Sequence, residues 1–211
     1  MEEGRPAPRP FEFSDPRQQR IYKELSEVVG PGPAAFFRDA CWLMEHSEQL
    51  HTTAHLVAHL LRELESALRT LFRPVVEREG SPEDSGSHKG QIRLILQSIG
   101  NSEDAPEGRA WFELADKVHG LAHRRGLDTP RSVTEISELW EQSQVLLDVL
   151  LRALREQFLT WLRVLDELLA KPQPTKDDVA RLAQEIPKNA VTRRYFFDHL
   201  QHPGWIEPLW K

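Results

Sequence analysis

Apolar residues along this chain recur at steps of three and four, the period of a helix with one buried side. The cleanest case is HTTAHLVAHLLRELESALRTLF, His51 to Phe72. At roughly 100° per residue, Leu50, Ala54, Val57, Leu61, Leu64, Leu68 and Leu71 fall on one side, with Leu60 and Ala67 at its edge. Such a stripe is wide enough to pack on two neighbouring helices. His51, His55 and His59, spaced i, i+4 and i+8, project to the opposite side with Arg62, Ser66 and Arg69. A second stripe, Trp111, Leu114, Ala115, Val118, Leu121 and Ala122, predicts a helix from about Arg109 to Arg125. The longest pattern runs from Val133 to Ala170 through Ile136, Trp140, Leu147, Leu150, Leu154, Trp161, Leu165 and Leu168. Ser132 and Glu135 match a capping box in front of it. Unbroken, it would be about 55 Å long. The pattern therefore predicts either the spine of the molecule or a helix that breaks once near Gln157.

Shorter helices fill the rest. One starts at Pro16, capped by Ser14 or Asp15, and passes through Ile21, Leu25 and Val28. Gly30-Pro31-Gly32-Pro33 reads as a breaker before a core helix from Ala34 to about Glu45. Gln91–Ile99, Thr175–Ile186 and Asn189–Leu200 complete the set, with Thr175 as an N-cap. The fold class predicted is all-α: a helical bundle of about seven or eight helices around one very long central helix. Residues 1–13 read as a flexible tail and 14–171 as the bundle, with GSPEDSGSHKG (80–90) as a mobile loop. Residues 172–211 read as a short helical extension expected to continue into a longer protein. Its closing Trp205, Ile206, Leu209 and Trp210 are large apolar residues that either pack back onto the helices or meet further chain.

Composition narrows the function classes. In 211 residues, 39% are apolar and 28% charged, ordinary for a globular protein. A net charge of −6 argues against bulk nucleic-acid binding through a basic surface. The single cysteine, Cys41, excludes an internal disulfide framework and fits a reducing, cytoplasmic setting. It stands beside Trp42 in an apolar run, as a buried structural thiol does. No apolar run approaches the roughly 18 residues of a membrane span.

Two polar constellations carry candidate chemistry. The row His51, His55, His59 could be a metal-ligand pair, a polar groove or a solvated face. Zinc asks for a third ligand, and none stands nearby in sequence, so no metal or cofactor is predicted. On the second helix Asp116, His119 and His123 share a flank at i, i+3 and i+7, with Arg124 and Arg125 at the helix end. A carboxylate beside two imidazoles can orient one and raise its basicity. That arrangement suits acid/base or phosphate chemistry, and equally the boundary stripe of a packed helix. No phosphate-binding Gly-rich loop, Cys-x-x-Cys, Gly-x-Ser-x-Gly or His-Glu-x-x-His occurs.

The segment LADKVHGLAHRR, together with LLRELESALRTLF, resembles the HEPN superfamily of small helical domains. Many of its members are metal-independent ribonucleases of prokaryotic toxin–antitoxin and antiviral systems; others are binding or dimerisation modules. Their signature is an Arg followed, after four to six residues, by a His, often written RNxxAH. Ala122-His123 matches its end, while Lys117, five residues before His123, stands where the Arg would be. The resemblance implies His123 as acid/base, His119 as its partner, and Lys117 or Arg124 against the scissile phosphate. The expected function is a non-enzymatic interaction or regulatory module of a larger intracellular prokaryotic protein, in defence or signalling. Its partner would be a protein or a second copy, met through the face of His51, His55, His59 and Arg62 and through Trp205 and Trp210. The alternative is a HEPN-type ribonuclease, the one case in which RNA is a partner.

Overall fold

The computed structural model describes residues 11–72, 86–122, 132–186 and 190–205. Among these residues eight α-helices and no strands are formed. They are α1 (Pro16–Glu24), α2 (Pro31–Glu45), α3 (Thr53–Leu71), α4 (His88–Ser98), α5 (Pro106–Ala122), α6 (Val133–Leu169), α7 (Lys176–Glu185) and α8 (Ala190–His199).

Helix ends follow local chemistry. The Asp15 carboxylate accepts from the Arg17 amide at 2.7 Å and Pro16 takes the first helical position, which starts α1. A π-helical turn, Leu25–Val29, closes it. Gly30 then adopts φ 136°, a region open in practice to glycine alone. That residue lets the chain turn at once into α2, which begins at Pro31. Gly30 is therefore the break, and Pro31-Gly32-Pro33, expected to belong to it, already forms the first turn of α2. A proline at N1 lacks an N–H that would have no helical partner there, and its φ is already helical. Ser87 accepts from the Gly90 amide at 2.9 Å, so α4 begins inside the stretch that composition marks as a loop. Thr175 and Asp178 form a reciprocal capping box at α7. The Lys171 ammonium and the Thr175 groups hold the Asp178 carboxyl down at about 2.

The long helix α6 is continuous through Gln157 and spans 37 residues. It packs on α1, α3, α5, α7 and α8. Arg17 meets Glu141 at 3.7 Å, Arg20 meets Asp148 at 2.8 Å and Arg155 reaches Glu24. Residue numbers rise together on both helices, so α1 and α6 run parallel. Helix α2 packs along α3, which in turn lies on α5. The core between them is apolar and tightly filled. Ile21, Leu25, Phe37, Val57, Leu64, Trp111, Ile136, Leu151 and Leu165 are almost wholly buried, and Phe37 stacks on Trp140 at 5.4 Å. Cys41 lies in this core, where burial pushes its thiol far up and keeps it unreactive. No helix among the described residues is long and apolar enough to cross a membrane.

Candidate functional site

The most elaborate polar cluster in the interior is centred on Glu65 of α3. Its neighbours Leu64 and Leu68 belong to the apolar stripe, and the carboxylate follows them inward to 5% exposure. Arg69, one helical turn on, donates its Nε at 2.8 and 3.0 Å to the two carboxylate oxygens. From α4, the His88 ring Nε2 lies 3.0 Å from Oε1. From α5, the Trp111 indole N–H donates to the same oxygen at 3.3 Å. Arg69 also reaches the Gln91 side-chain oxygen of α4 at 2.9 Å. One carboxylate thus ties three helices together. Burial pushes its acidity down, but the hydrogen bonds from His88 and Arg69, with the Arg69 charge, outweigh it and hold the carboxyl below its usual range. A carboxylate so fully engaged is a clamp, not a free base. The cavity beside it, lined by Leu61, Leu68, Trp111, Leu114 and Leu147, is about 10 Å³, at most one water.

The sequence-predicted residues are dispersed. His51 stands exposed in the turn before α3, so it does not continue a helical row with His55 and His59. His55 is half-buried, its Nδ1 3.3 Å from the Leu121 carbonyl at the end of α5, which makes it an inter-helix contact. His59 is exposed, and Arg62 pairs with adjacent Glu63 at 3.1 Å. No group of three or more His, Cys, Asp or Glu side chains among the described residues is placed to hold a metal ion. On α5, Lys117 and His119 are exposed. Lys117 lies 3.8 Å from Glu113 and 3.4 Å from the Gln142 side-chain oxygen, and Asp116 pairs with Lys89 at 2.9 Å. His123, Arg124 and Trp210 lie outside the described residues. Trp205, read either as packing back onto the helices or as part of an interaction surface, is wholly buried, so the first reading holds for it. Its indole N–H donates to the Lys171 carbonyl at 3.1 Å and its ring packs edge-on to Phe196. An indole that finds one acceptor can bury its large apolar body at no polar cost, and here the chain folds back to do so.

Sequence reasoning passed over Glu65. The signal present was a Glu–Arg pair at i, i+4 beside the stripe, which an exposed helical pair would show equally. Three apolar side chains stay in solvent around the α2–α3 connection, among them Leu50, which the spacing put on the buried stripe, and Trp42, expected within a core helix. Trp42, in the last turn of α2, is 40% exposed and stacks on His46 at 4.7 Å. Leu50 in the connection and Leu56 in the first turn of α3 are 42% and 40% exposed. Comparison with family models, with curated proteins and with solved structures finds no match to the chain.

Proposed function

We propose that this chain is a non-enzymatic helical interaction or regulatory module of an intracellular prokaryotic protein, in a defence or signalling setting. The observation that carries the reading is the α2–α3 corner, where Trp42, Leu50 and Leu56 stay in solvent although a large core is available to them. Apolar side chains left in water at one end of two packed helices mark a surface made to be covered, and aromatic residues are enriched at such surfaces. The HEPN-like resemblance of the α3 and α5 segments supports the setting. In the alternative, a metal-independent ribonuclease would use His123 and His119, with Lys117 or Arg124 at the phosphate.

The experiment compares wild type with a Trp42→Ser/Leu56→Ser double variant whose circular dichroism is unchanged. A partner captured from native extract and reconstituted with the purified chain should bind wild type alone. It should also slow amide exchange between Trp42 and Leu56. Equal binding by both proteins overturns the assignment of this corner. Cleavage of single-stranded RNA in EDTA, lost in His123→Ala, overturns the non-enzymatic reading in favour of the ribonuclease.

A further inference from the structure

The solvent side of α6 carries a second pattern that the bundle does not use. Val145, Val149, Arg152, Glu156, Leu159 and Arg163 follow one another at steps of four, three, four, three and four, the spacing of a coiled-coil seam. Val145 and Leu159 are each 52% exposed, two of the largest apolar exposures among the described residues. Val149 between them is half-buried, while Arg152, Glu156 and Arg163 are exposed. The Glu156 carboxylate has no ion pair among the described residues. This stripe lies on an unbroken helix, so its six positions form one straight ridge about 27 Å long.

We infer that this ridge is a self-complementary interface through which two copies of the chain dimerise, their α6 helices antiparallel. The occupant follows from the charges. In an antiparallel pair centred on Leu154, Arg152 of each copy faces Glu156 of the other, and Val149 faces Leu159. Val145 meets the alkyl stem of Arg163 at either end. Every layer occurs twice, as a two-fold axis requires. A parallel pair in register would instead set Arg152 on Arg152 and Glu156 on Glu156, which like-charge repulsion disfavours. Arg152 is available for the exchange. It now bonds Asp148 at 2.8 Å, but Arg20 already holds both oxygens of that carboxylate, at 2.8 and 3.1 Å. Asp148 therefore stays paired when Arg152 turns to the other copy. The inference does not rest on the α2–α3 corner, which lies on other helices.

Sedimentation of the full chain over a concentration series tests it. Wild type should show a reversible monomer–dimer equilibrium. Leu159→Glu should be monomeric with unchanged circular dichroism, since its side chain is in solvent in the monomer. Arg152→Glu alone and Glu156→Arg alone should each dimerise about tenfold more weakly or worse. An equimolar mixture of these two variants should form a heterodimer about as tight as wild type, because each reversed charge then meets its opposite. A wild type that stays monomeric throughout, or a dimer indifferent to Leu159→Glu, overturns the proposal. So does a mixture no tighter than its components. None of these results bears on partner binding by Trp42→Ser/Leu56→Ser, so the two readings fail separately.

Discussion

Glu65 shows what one residue can hold. Removing it by Glu65→Ala would leave the Arg69 Nε and the Trp111 N–H at an apolar cavity edge without their acceptor, while Arg69 keeps Gln91. The expected loss is about 3 kcal/mol, read by urea denaturation. The pH dependence has a definite sign. The carboxyl titrates lower in the folded chain than in the unfolded one, so its contribution is present above the unfolded value of about 4 and fades as pH falls through the folded one. The stability gap between wild type and Glu65→Ala should therefore narrow as pH falls below about 4. A gap that does not narrow there would contradict the clamp.

At the scale of elements, two glycines of α5 separate propensity from packing. Gly120 is exposed in the last turn of α5, and a Cβ there would meet nothing within 4 Å. Gly120→Ala should stabilise the chain by about 1 kcal/mol through helix propensity alone. At Gly108 the same Cβ would press into the backbone of Ser102 and Glu103, the latter at 2.9 Å. Gly108→Ala should destabilise despite the identical gain in propensity, because backbone cannot move aside as a side chain can. Thermal melts of the two variants should shift in opposite directions. The helices themselves were legible because each carries its own stripe, and Ser132 and Thr175 mark two starts by capping chemistry that is local in sequence. The start of α2 at Pro31 was less so, since Gly-Pro pairs serve both turns and helix starts.

For the whole molecule, the three matched stripes place α6 against α3 and α5, and the contacts among these helices form the centre of the bundle. Leu64 and Leu150 are buried there at 1% and 2% exposure. Leu64→Asp or Leu150→Asp would put an unpaired charge in the core at a cost of several kcal/mol, and either should unfold the chain. Loss of the helical circular dichroism signal checks this.

The amino-acid sequence by itself determined the helices and the buried stripe on each, because 3.6-residue periodicity and capping are written within a few turns of chain; that α6 runs unbroken through Gln157 was decided by the fold. Only the tertiary structure decided which polar residues meet. Glu65, His88 and Trp111 are brought together across 46 residues by the packing of three helices. His51 stays outside α3, which starts only at Thr53, and the packing of the whole bundle buries Trp205. That packing also leaves Val145 and Leu159 in water on a helix otherwise apolar where it faces the core. A helix's own pattern says which face is oily; which oily face finds a neighbour depends on how many helices surround it.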